Sequence, residues 1–255
     1  MFELRPIHFF ALLAVFGVLQ ACSVAPTRHE TSPSAALNGV LQDWSPRELP
    51  GKAPTRYSLS ERAGRPCVLA QADASASLLR RPMHVQRERL SAVEFHWWIE
   101  RFEAGSHRPT EGADDAAARL VLAFDGDDSS LSLRNRMMFE LARAVTGEAP
   151  PYATLMYVWD MRAAPGTLII NAHTDRVRQI VMGSGRPDKP GWQHFRRDVA
   201  ADFRLAFGEA PGTLIGMALM TDADNIRGRA QACYGDVLFL DAAAEAQSLA
   251  GSLRF

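Results

Sequence analysis

Residues 92 to 102 read AVEFHWWIERF, and apolar side chains fall on every second position. Val93, Phe95, Trp97 and Ile99 share one side; Glu94, His96, Trp98 and Glu100 share the other. A period of two belongs to a half-buried β-strand, whose apolar side must be covered by a second layer. The same demand recurs along the chain. RYSLS and CVLAQ flank the short polar link ERAGRP, which predicts a hairpin. ARLVLAF puts Leu120, Leu122 and Phe124 on one side, and ATLMYVW, GTLII, VRQIVM, TLIGMALM and YGDVLFL are further strand candidates. Several are apolar on both sides, as strands inside a packed sandwich are. Two windows change period. In residues 129–147, Met137, Leu141 and Val145 stand at helical spacing before Gly147. In residues 195–208, Phe195, Val199, Phe203 and Phe207 form one stripe before Gly208. The pattern predicts an all-β fold: a two-sheet antiparallel β-sandwich of roughly eight to ten strands, jelly-roll in layout, with two short helical insertions.

The N-terminus has a different composition. Arg5 precedes FFALLAVFGVLQ, residues 9 to 20. That apolar run is too short to span a bilayer but has the length of a signal-peptide core. Leu19-Gln20-Ala21-Cys22 then resembles the lipobox of bacterial lipoproteins, in which the cysteine becomes the acylated first residue. The expected organisation is a lipoprotein signal peptide over residues 1–21, a lipidation site at Cys22, a polar, proline-bearing tether over 22–38, and a single β-sandwich domain over 39–245. Ser23 implies, by the same resemblance, sorting to the periplasmic face of the outer membrane. An ordinary secretory signal is the competing reading. With a formal net charge of −1, the chain has no general electrostatic reason to bind nucleic acid. The expected partners are the membrane, through the anchor, and a glycan or an envelope protein. Cys67 and Cys233 remain; in an oxidising compartment they form a disulfide or stay as two buried thiols, and both readings stay open.

Several segments, taken in order, carry a family resemblance: FHWWI, GADD before ARLVLAF, YVWD, RRDVAADFRLAFGEAP, MTDADN and a terminal YGDVLF. The chain resembles, over roughly residues 40 to 240, a family of exported bacterial proteins catalogued as domain of unknown function 3047. The resemblance implies a galactose-binding-like jelly-roll layout and brings no activity and no catalytic residue with it.

Candidate chemistry is sparse. Asp222-Ala223-Asp224-Asn225 opens like a calcium loop, yet Ile226, Arg227 and Cys233 occupy the fifth, sixth and twelfth positions, so an EF-hand is excluded. Two readings remain: a looser structural calcium site joining Asp222 or Asp224 to Asp114 and Asp115, or aspartates that end a strand and bond to their own turn. Asp114, Asp115, Asp222 and Asp224 are also the carboxylates a glycan hydrolase would draw on. There is no HExxH, CxxC, Walker loop, GxGxxG or GxSxG elbow, so no cofactor is expected. Glu94, His96 and Trp98 on one strand, and Tyr157 and Trp159 on another, could offer aromatic surface with polar neighbours for a sugar ring, or belong to the core. The sequence thus favours a non-catalytic envelope protein that binds a glycan or other polar ligand, with an envelope glycan hydrolase and a structural lipoprotein as alternatives.

Overall fold

The computed structural model of the protein describes residues 41–103, 115–187, 190–241 and 244–248. The expected signal peptide, Cys22, the tether up to residue 38 and Asp114 lie outside the described residues.

The alternating segments pair into two sheets. The first runs in the order β1 (Ser45–Glu48), β4 (Ala76–Val85), β11 (Leu214–Asp222), β6 (Ala116–Phe124), β7 (Ala153–Asp160), β9 (Val177–Ser184) and β8 (Leu168–Ile170). The second runs β10 (Trp192–Asp198), β5 (Leu90–Glu103), β12 (Arg229–Asp241), β3 (Arg65–Asp73) and β2 (Arg56–Arg62), with β13 (Ala244–Ser248) also paired to β12. From β3 to β6, and again from β10 to β12, each strand passes to the opposite sheet, so the chain winds a jelly-roll-like β-sandwich. Pairing is antiparallel except between β7 and β9, which run parallel. Among the described residues the strands outnumber the sequence expectation because short edge strands such as β1 and β8 carry too few residues to show a period.

The inner faces meet as the period of β5 requires. Val93, Phe95, Trp97 and Ile99 are buried, facing Leu120, Leu122, Phe124, Leu155 and Tyr157 of the opposite sheet. The Phe95 ring lies 4.9 Å from Trp97, 5.4 Å from Tyr157 and 5.2 Å from Phe195. Each such aromatic pair adds about 0.5–1.5 kcal/mol beyond its buried area. Cys67 of β3 and Cys233 of β12 form a disulfide, with Cα atoms 5.7 Å apart and 166 residues between them in sequence.

Both helical windows are shorter than their periodicity. Helix α1 spans Leu133–Thr146, with the Ser132 hydroxyl capping Asn135 N and Gly147 ending it in the left-handed region at φ 76°. Residues 128–130 form a separate 3-10 turn capped by Asp127. Helix α2 spans Val199–Phe207 and begins after Asp198, whose carboxylate accepts from Ala201 N. Phe195 therefore belongs to β10, opposite Phe95, and not to the helix. The row Met137, Leu141 and Val145 in α1 faces away from the sandwich, with exposures of 59–66%. The side that meets the domain carries Asn135, which donates to Asp175 Oδ1 at 2.7 Å and accepts from the Thr174 hydroxyl at 3.0 Å.

Candidate functional site

Among the described residues, the polar candidates named above fall at two places on the outer faces of the sandwich. On the seven-stranded sheet, β6 and β11 place Arg119 and Asp222 side by side. Arg119 Nη1 donates to Asp222 Oδ2 at 2.7 Å, and the residues are 1% and 3% exposed. The turn after β11 closes on itself: Asp224 N donates to Asp222 Oδ1 at 3.3 Å and Gly228 N to Ala223 O at 3.0 Å. Asp115, at the start of β6, completes it from across the sheet. Its carboxyl accepts from Asn225 N at 3.1 Å, Asn225 Nδ2 at 3.2 Å and Ile226 N at 2.7 Å. Burial, and then its hydrogen bond and charge contact with Asp222, push the Asp115 carboxyl up to about 6. Carboxylate oxygens of Asp115, Asp222 and Asp224 lie within 4.8 Å of one another.

That spacing alone would suit a cation. However, two cationic side chains already face the three carboxylates: Arg119 on Asp222, and Lys52, whose ammonium contacts Asp224. A divalent ion would have to displace them, so the arrangement favours strand termination and turn capping over calcium. A cavity of about 410 Å³ opens beside the cluster, lined by Lys52, Asp160, His173, Gln179, Asp222 and Asp224 among others. Asp115 does not line it.

The second place lies on the outer face of the six-stranded sheet. Here β5 and β10 place Trp98 opposite Trp192, His96 opposite His194, and Glu94 opposite Arg196. The indoles of Trp98 and Trp192 meet edge to face at 5.8 Å, the imidazoles of His96 and His194 stack at 4.6 Å, and Arg196 Nη1 donates to Glu94 Oε1 at 2.7 Å. Arg65 lies over the Trp192 ring at 5.4 Å, and Trp192 Nε1 donates to Arg62 O at 3.1 Å. Gly235 of β12 sits beneath: a Cβ there would come within 3.1 Å of the Trp192 ring. Burial, and then the Arg65 charge, hold the His96 imidazole below the usual histidine range. Glu100 is bound by Arg62 and Gln231. Trp98 is half-buried and borders a groove with Ile99, Glu100, Arg186, Pro187 and Pro190.

The structure thus brings Glu94, His96 and Trp98 together on one outer face, and brings Asp115, Asp222 and Asp224 together on the other. Tyr157 and Trp159, read as ligand-binding candidates, are instead core residues. Tyr157 is fully buried and donates to Asp202 Oδ2 at 2.8 Å. Trp159 is 6% exposed and donates to Gly185 O at 2.8 Å. Its ring fills the space left by Gly183, where a Cβ would lie 2.4 Å from it. Trp192, His194 and Arg65 are additions to the Trp98 face. The alternation of Trp192 and His194 in WQHFRRD was the available signal for two of them.

The model of a family described as "Protein of unknown function (DUF3047)" matches residues 42–238, so the chain belongs to that family. No curated protein matches the chain. Among solved structures, the xyloglucanase domain of NopAA, a type three effector from Sinorhizobium fredii, is similar at 9% identity over 78% of this chain and 94% of that one, with a TM-score of 0.42. A non-crystalline cellulose specific carbohydrate-binding module, CBM28, is similar at 12% identity over 78% of this chain and 87% of that one, with a TM-score of 0.35. The enzymatically active domain of tailspike protein 4 from bacteriophage CBA120 is similar at 5% identity over 79% of this chain, with a TM-score of 0.37; the chain spans 20% of its length. All three TM-scores lie below 0.5, and none bears on what this chain binds.

Proposed function

We propose that this member of the DUF3047 family is a lipid-anchored envelope protein that binds a glycan or another extended polar ligand without catalysis. The binding surface is the outer face of the six-stranded sheet around Trp98. One observation carries this reading: Trp98 is half-buried against Trp192 and borders a groove whose other walls include Glu100 and Arg186. An indole face with a carboxylate and a guanidinium beside it suits a sugar ring, which has apolar C–H faces and hydroxyl edges. Hydrolysis by the loop carboxylates has less support. Asp115 does not line the cavity, and Asp222 and Asp224 are held by Arg119 and Lys52, so these three described carboxylates do not offer a free acid and base to a shared space.

The test is retention on a glycan array and on peptidoglycan, comparing wild type with Trp98→Ala. Wild type should be retained and the variant lost. If no saccharide is retained, or both are retained equally, the platform reading is wrong and a structural role gains. Anchoring is tested separately. Metabolic labelling with a palmitate analogue should mark the wild type and not Cys22→Ala; equal labelling of both would sink it.

A further inference from the structure

Seven large apolar side chains stand exposed among the described residues, and four of them lie on α1: Leu133 (70%), Met137 (66%), Leu141 (59%) and Val145 (62%). They follow one another at intervals of four, so they form a single row along the helix. From Leu133 to Val145 the row is about 18 Å long. The opposite side is only partly covered: Met138, Phe139 and Ala142 are half-buried there. Its one buried residue is polar Asn135, bound to Asp175 and Thr174. Arg134 Nη2 donates to Ala172 O at 3.2 Å, and Arg47 Nη2 to Thr146 O at 3.3 Å. An unpartnered apolar row this regular marks an interaction surface.

Charge and chain path point to its occupant. The helix carries Arg134, Arg136 and Arg143 against Glu140. At its C-terminal end Arg47 and Arg80 share Glu148, and Arg81 pairs with Asp43. The helix itself is therefore cationic, three arginines to one glutamate, with Asp125 and Asp128 lining the groove beside Arg47, Arg80 and Arg81 and Asp127 preceding its first turn. A second copy of the same row would bring arginines against arginines; a surface of lipid phosphates would pair them. Arg47 also sits in β1, the first strand, so the N-terminal side of the domain enters beside the end of α1. Residues 23–40 separate Cys22 from Leu41. By the random-coil scaling of polar linkers, that number of residues corresponds to a reach of roughly 25 Å, about one helix length.

We propose that α1 lies in the interface of an anionic phospholipid membrane, its Leu133–Val145 row turned into the acyl boundary and its arginines on the phosphates. This rests on the anchoring reading above and adds the surface by which the domain meets the membrane. The test uses the full acylated chain reconstituted in vesicles of phosphatidylethanolamine and phosphatidylglycerol containing nitroxide-labelled lipid. Met137→Cys carries a fluorophore; Glu61→Cys, exposed on edge strand β2 of the other sheet, is the control. Both are exposed positions, so folding is not at stake. Lipid should quench the probe at 137 at least twofold more than the probe at 61, and Arg136→Glu with Arg143→Glu should halve the quenching at 137. Equal quenching at the two positions in a chain that floats with the vesicles overturns the docking and leaves the anchor standing. A chain that does not float overturns both. Quenching at 137 that is indifferent to the arginine changes overturns the anionic-lipid assignment.

Discussion

Removing the Asp222 carboxylate should cost more than any single hydrogen bond in the turn it opens. Arg119 is 1% exposed, and its Nη1 donates to Asp222 Oδ2 at 2.7 Å. Asp222→Ala takes this carboxylate away from a guanidinium that stays buried in the same place. Breaking a buried pair from one side costs roughly 3–5 kcal/mol, because the remaining charge stays desolvated. For a domain of this size each kcal/mol lowers the melting temperature by about 2–4 °C, so a fall on the order of 10 °C is expected. Differential scanning calorimetry or urea titration measures it. The double variant Arg119→Met with Asp222→Leu supplies the decisive comparison. It removes both charges at similar volume and should recover most of the loss, because apolar replacement of a buried pair is often neutral or better. If Asp222→Ala costs under about 1 kcal/mol, the buried pair is not what holds this corner. If the double variant stays as unstable as the single one, the loss belongs to the turn bonds and not to the stranded charge. A rise in wild-type melting temperature with calcium, absent in Asp222→Ala, would restore the cation reading.

Reducing the Cys67–Cys233 disulfide, which spans 166 residues, should lower stability by about 5 kcal/mol if unfolded-chain entropy dominates; urea midpoints unmoved by dithiothreitol would refute this. Asp115 titrates near 6 when folded against 3.8 as its ordinary value, so its contribution is intact below about pH 4 and falls away as pH rises through 6. That shift corresponds to about 3 kcal/mol, and Asp115→Asn should flatten the stability profile across that window. Parallel profiles for the two proteins would show that Asp115 is not the group responsible.

The strands were legible wherever one face was apolar and the other polar, as in β5, because burial imposes that period directly. β10 was less so. Phe195 stands four residues before Val199, as in a helix, and alternates with polar His194 and Arg196, as in a strand; only its pairing with Phe95 decides. Tyr157 and Trp159 could not be placed from sequence because β7 is apolar on both faces, so the period does not say which side is interior. The two polar sites differ in the same way. Trp98, His96 and Glu94 lie on one strand and are visible together, whereas Asp115 meets the 225–226 turn across 110 residues of chain, a contact only the wound topology creates. The α1 periodicity identified a helix but not its orientation: the side turned to the domain carries Asn135, bound to Asp175, and half-buried Met138, Phe139 and Ala142.

The placement of the last two long strands has a consequence for how the fold is reached. β11 lies between β4 and β6, and β12 lies between β3 and β5, so each occupies the interior of its sheet. A chain that emerges N-terminus first has synthesised β1 to β10 before either seam can close. Until residues 214–241 arrive, each sheet exists as two fragments with open edges, and the inner aromatics have no complete lid. Such edges are templates for pairing with other chains. The domain therefore assembles late and all at once, through contacts remote in sequence, which makes folding slow. It depends on being kept apart from its neighbours until its final strands have been delivered.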